Sequence, residues 1–187
     1  MASNSESIKK SFKFILYFVG LMWAVWLIDL VLPYEFARLG IRPRSFSGLI
    51  GIVFAPIIHA NFLHLLSNTF PIIVLLLALF IYDEKKAVTT ILLSVLLGGI
   101  LVWTFAREAF HVGASGLIYS LAAYLIASAF FRFDFKSFII ALIIFIFYGG
   151  LIWGIFPTRS WVSFEGHLFG AIAGIFIAWL INKKLSK

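Results

Sequence analysis

Ile139-Ile140-Ala141-Leu142-Ile143-Ile144-Phe145-Ile146-Phe147 is apolar at nine consecutive positions. A membrane β-strand alternates between lipid and lumen, and its sequence alternates with it. A helix lying between lipid and other helices carries apolar side chains all round. The stretch therefore reads as part of a transmembrane helix, and the whole chain carries the same signature. Of its 187 residues, 63% are apolar and 12% charged, against roughly 45–50% and about 25% in a soluble domain. A water-soluble fold is excluded.

A spanning helix takes about 20 residues. Uncharged runs near Phe14–Leu32, Phe62–Tyr82, Ala87–Phe105, Val112–Phe131, Phe138–Phe156 and Phe164–Ile181 predict an all-α, six-transmembrane-helix bundle. Residues 1–187 form one membrane-embedded domain, with one long connection near 33–61. The first run follows Lys9, Lys10 and Lys13, but it is too long for a signal peptide and no small-residue cleavage site follows. The apolar stretch Leu49–Phe54 is too short to span and is expected in the membrane interface.

Six passes put both termini on one side. Lys9, Lys10, Lys13, Lys85, Lys86, Arg132, Lys136, Lys183, Lys184 and Lys187 fall there, ten against the five of Arg38, Arg42, Arg44, Arg107 and Arg159. Basic residues favour the cytoplasmic side, so both termini are expected in the cytoplasm. The net charge of +7 is accounted for by loops facing anionic lipid, with no nucleic-acid partner. Compactness and the lack of a targeting extension point to a prokaryotic plasma membrane. Cysteine is absent, which removes disulfides, thiolate metal sites and cysteine nucleophiles.

Polar groups inside spans cost free energy and are functional candidates. Span two opens with His59, His64 and Asn68. Span four opens with Gly113-Ala114-Ser115-Gly116 and Tyr119, and span six with Glu165, His167, Gly170 and Gly174. All three run from the outer side inward, so Asn68, Ser115 and His167 share one layer in the outer part of the membrane. A serine becomes a nucleophile when a base takes its proton, and histidine suits that role near neutral pH. Ser115 and His167 supply the pair. His64 and Asn68, at i and i+4 on one helix face, can aim donors at one oxyanion together with the Ser115 backbone N–H. Tyr119, one turn below Ser115, can stack on the His167 imidazole. Gly113 and Gly116 leave room beside the nucleophile, and Gly170-x-x-x-Gly174 allows close approach of span six to span four.

These motifs, in this order and spacing across six spans, resemble the rhomboid intramembrane serine proteases. The resemblance implies a Ser115–His167 dyad without an aspartate, an oxyanion site of His64, Asn68 and the Ser115 amide, and Tyr119 as the stacking tyrosine. It also matches His59 to a further histidine near the start of span two. It implies transmembrane-protein substrates, a bilayer environment, no cofactor and no metal, with the active site opening to the outer side. Many bacterial members carry a Trp-Arg pair in the first outer loop. Here that loop reads Gly40-Ile41-Arg42-Pro43-Arg44-Ser45-Phe46, and no seventh span is present, as in the minimal six-helix form.

A zinc protease would carry a ligand set such as H-E-x-x-H, whereas His59 and His64 stand at i, i+5 without an adjacent glutamate. An aspartyl dyad needs two facing carboxylates, and Asp29 is the only aspartate within a span. A transporter would show charged or broken positions at mid-membrane, and Pro71 stands there without a charged companion. The alternative from another class is a non-proteolytic relative that binds or chaperones transmembrane segments. Such a protein has no need of the full set of Ser115, His167 and the oxyanion donors. His111 reads as an interfacial loop residue, and Asp29 and Glu165 read as reaching the headgroups. The Phe156–Phe164 connection is expected to form a cap that admits water to the dyad.

Overall fold

The computed structural model describes residues 2–157 and 163–183. Its helices are α1 (Ala2–Val31), α2 (Gly51–Phe54), α3 (Phe62–Phe105), α4 (Ser115–Arg132), α5 (Phe135–Tyr148) and α6 (Phe164–Asn182). Among the described residues five helical stretches are long and apolar enough to cross a bilayer, where the sequence predicts six spans, because the second and third form one 44-residue element, α3. Asp83 breaks it, with φ −154° and ψ 88° outside the helical region, into arms over 62–82 and 84–105.

Side-chain contacts show that the break reverses the chain. The first arm runs alongside α4: a Cβ on Gly113 would meet the His64 ring, Tyr82 packs edge-on against Tyr124 at 5.9 Å, and Asp83 pairs with Arg132 at 3.3 Å. The second arm runs against α6, with Lys86 donating to the Ile181 carbonyl at 3.2 Å and Phe105 packed on Phe169 at 5.9 Å. Since α4 and α6 are parallel, with Gly116 at Gly170 and Ser128 bonded to Asn182, the two arms are antiparallel. The chain thus makes six passes. On the first arm's far side α1 runs antiparallel, pairing Phe14 with Phe80 and Trp26 with Phe62, both at 5.6 Å.

Local chemistry sets the helix starts. Asn61, Asp134 and Ser163 cap α3, α5 and α6 by accepting from the amides of His64, Ser137 and Gly166, satisfying donors that a helix N-terminus leaves over. Because Asp134 caps there, α5 begins at Phe135, earlier than the predicted 138. It ends at Tyr148, ahead of Gly149-Gly150, and the chain continues as a 3-10 turn over Gly149–Ile155. Adjacent glycines weaken an α-helix. No side chain caps α4, which starts at Ser115 rather than at 112.

α4 lies at the centre, with Leu121, Tyr124 and Leu125 fully buried beside Leu65, Leu75 and Leu79 of α3. The outside is apolar: Phe147 is 76% exposed and Leu63 73%, the surface of a chain solvated by lipid rather than water.

The long connection folds onto the end of the second arm. Ile41 pairs through its backbone with His111, the Arg44 amide donates to the Trp103 carbonyl at 2.9 Å, and the Trp103 indole donates to the Ser45 carbonyl at 2.8 Å. Arg44 also donates to the Ala106 carbonyl at 2.8 Å. The loop lacks a Trp-Arg pair of its own, and its Arg44 is held at the backbone of Trp103 in α3. Within the stretch expected in the interface, Ile52 turns inward onto Gly99 while Ile50 and Val53 face out.

Candidate active site

The turn before α4 is held from two sides. The Gly113 amide donates to the Ala55 carbonyl at 2.8 Å and the Ala114 amide to His59 Nε2 at 3.4 Å. Gly113 has φ +109°, and a Cβ there would lie 2.5 Å from His64 Nε2. Only glycine meets both conditions without strain. Ser115 is the first residue of α4, so its N–H lacks an intrahelical acceptor. It lies beside a cavity of about 50 Å³, room for roughly three waters, lined by Gly113, Ser115 and Gly116 from one side and Ser163, Gly166 and Gly170 from the other.

Tyr119 lies one turn further along α4. Its ring is stacked on His167, with centroids 4.1 Å apart and planes 3° from parallel. His167 Nδ1 lies 2.9 Å from the Gly154 carbonyl oxygen. A carbonyl only accepts, so Nδ1 carries the proton and Nε2 of the neutral ring holds the lone pair. Gly154 is glycine for a steric reason, because a Cβ there would collide with the Tyr119 hydroxyl. Ser115 and His167 are not hydrogen-bonded to one another; such pairs often tighten only when substrate binds.

The α4–α6 seam brings their two helices together. A Cβ on Gly170 would collide with the Gly116 carbonyl, and one on Gly174 with the Ser120 carbonyl. The seam runs through Gly116 and Ser120. Ala122 and Ala123 line an apolar cavity of about 520 Å³ between α4, α5 and α6.

His59 is buried, its ring edge-on to His64 at 5.1 Å. Asn68 is also buried and uses one amide hydrogen on the His64 carbonyl at 2.7 Å, which leaves its second hydrogen for another acceptor.

His111, read from the sequence as an interfacial loop residue, and Glu165, read as reaching the headgroups, are both buried against protein, each only 5% exposed. Glu165 pairs with Arg107 Nε at 3.3 Å and accepts from the Arg107 amide at 3.4 Å. His111 lies 2.6 Å from the Ser163 hydroxyl and 3.0 Å from the Arg107 carbonyl. Local sequence does not reveal this cluster, since the partners are more than 50 residues apart. Asp29 accepts from the Phe36 amide at 3.0 Å and so ties down the turn after α1. Of the expected cap, residues 158–162 lie outside the described residues. Among the described residues no group of three His, Asp or Glu side chains is gathered as metal ligands.

The rhomboid-domain family profile matches residues 47–184, and the chain belongs to the rhomboid family, which includes intramembrane serine proteases. An uncharacterized protein of Mycobacterium tuberculosis is 35% identical over 177 residues, 90% of this chain and 74% of its own length. One of Mycobacterium leprae is 33% identical over 177 residues, 90% of this chain and 70% of its own. The protein is an integral membrane protein of this fold.

Proposed function

We propose that the protein is an intramembrane serine endopeptidase that cuts transmembrane substrates near their outer ends, with residues 1–187 acting as one catalytic domain. The observation that carries the reading is the state of His167. It is stacked on Tyr119 and bonded to Gly154 through Nδ1, which leaves Nε2 basic, and it stands on the helix packed glycine-to-glycine against the start of α4.

In the reaction, His167 Nε2 takes the proton as Ser115 Oγ attacks the scissile carbonyl. The Ser115 amide, the His64 imidazole and the second hydrogen of Asn68 donate to the oxyanion. His167 then protonates the leaving amine, and a water activated by the same nitrogen hydrolyses the acyl-enzyme. His59 supports His64 and the turn before Ser115. A helical substrate hides its carbonyls in hydrogen bonds, so segments with small or helix-weakening residues are the favoured class. The lysine-rich end of the bundle, with both termini, faces the cytoplasm of a prokaryotic cell, and the Ser115 end faces outward.

The test is reaction of the purified protein with a fluorophosphonate, comparing wild type, Ser115→Ala and His167→Ala, with mass mapping of the label. Label on Ser115 that requires His167 is expected. An unlabelled, folded wild type would overturn the reading in favour of a non-proteolytic protein that binds transmembrane segments.

A further inference from the structure

Four residues before Ser115 stands His111, and four residues before His167 stands Ser163. These two are 2.6 Å apart, His111 Nδ1 to Ser163 Oγ. The segments leading into the two ends of the dyad are therefore joined directly, at the same remove from each.

The direction of every bond follows from its partners. His111 Nε2 faces the Arg107 carbonyl at 3.0 Å, which only accepts, so Nε2 carries the proton and Nδ1 is the acceptor. The Ser163 hydroxyl donates to Nδ1, and its oxygen accepts from the Gly166 amide at 3.2 Å as the cap of α6. One hydroxyl thus serves both the helix that carries His167 and the loop that leads to Ser115. Alongside it, Glu165 on α6 holds both the guanidinium and the amide of Arg107 on the loop. The loop itself is fixed to Ile41 at His111 and to Ala55 at Gly113, so a pull at His111 is transmitted to the turn before Ser115. His111 and Ser163 both line the small cavity beside Ser115.

We propose that the His111–Ser163 hydrogen bond is a positioning clamp that sets the approach of Ser115 to His167. The proposal rests on the dyad reading above. A protonated His111 would donate from Nδ1 to the second lone pair of Ser163 Oγ, so protonation reverses the bond and leaves the two segments joined. The charged groups facing His111 are Arg107 of its own loop and Glu165 of α6. Burial is the largest influence on its ionisation and lowers it from the usual histidine value, which favours the neutral ring with Nδ1 as acceptor.

The experiment measures the rate of fluorophosphonate labelling at Ser115 per folded molecule. His111→Leu removes the bridge and leaves Ser163 free to cap α6. His111→Asn keeps an acceptor that does not titrate, and Ser163→Ala removes the bridge from the other side. His111→Leu and Ser163→Ala should each slow labelling between about tenfold and a hundredfold, the range for sub-ångström to ångström misplacement of reacting groups. His111→Asn should restore most of the rate. Wild-type labelling rates in folded His111→Leu and Ser163→Ala would overturn the clamp, and so would a His111→Asn rate no better than that of His111→Leu. Wild-type protein that takes no label at Ser115 would instead remove the dyad itself, a result distinct from either.

Discussion

Gly170 of α6 rests on the backbone of Gly116 of α4, with no space between them for even one methyl group. Gly116 follows the proposed nucleophile by one residue and Gly170 follows the proposed base by three, so the closeness of the two backbones determines whether the side chains can meet. Gly170→Ala should force the helices apart at a cost of about 1–3 kcal/mol, as overpacking does. Thermal unfolding in detergent should show a lower midpoint, and Ser115 labelling should fall with it. Gly150→Ala has nothing within 4 Å of the added carbon and should leave both unchanged.

The parallel stack of Tyr119 on His167 makes a separate prediction. Tyr119→Phe keeps the ring and should retain labelling within a few-fold of wild type. Tyr119→Ala removes a contact worth about 0.5–1.5 kcal/mol and lets the imidazole turn, so labelling at Ser115 should slow by about tenfold while the helical circular dichroism is unchanged.

Asn68 should matter to turnover more than to folding. Its free amide hydrogen is the proposed oxyanion donor, and loss of one such donor costs about 10²–10³ in kcat. Asn68→Ala should show that loss with KM little altered when cleavage of a transmembrane peptide is followed in detergent. A change in KM alone would mark Asn68 as a substrate-binding residue and remove it from the oxyanion site.

Asp134 caps α5, accepting from the Ser137 amide at 2.9 Å and lying 2.9 Å from Arg132. Asp134→Ala should destabilise the bundle by about 1 kcal/mol. The Ser137 amide, ahead of the Ser137 hydroxyl and Arg132, holds its carboxyl below the usual aspartate range. A carboxyl depressed by folding contributes stability in full above its unfolded value near 4 and loses it as pH falls through the folded value below that. The gap between wild type and Asp134→Ala in unfolding midpoint should therefore be constant from neutral pH to about pH 5 and close at lower pH.

The composition and the long uncharged runs determined by themselves that this chain is a helical membrane bundle, because only helices and closed barrels satisfy the backbone in lipid and a barrel strand would alternate where these runs do not. The same physics made the proposed site legible: Ser115, His167, His64 and Asn68 stand out because polar groups are costly among so many apolar ones. Helix ends were less legible, since Asp134 and Gly149-Gly150 set the bounds of α5 through hydrogen bonds and backbone freedom that hydropathy does not register. The burial of His111 and Glu165 lay further still from the sequence, where each reads as a polar residue near a span end. Only the tertiary structure decided that α4 and α6 close on Gly116 and Gly170 and that Gly154 sets the tautomer of His167. It alone brought His111 to Ser163, because a hydrogen bond between residues 52 positions apart depends on how helices pack, and packing is a property of the assembled bundle rather than of any segment in it.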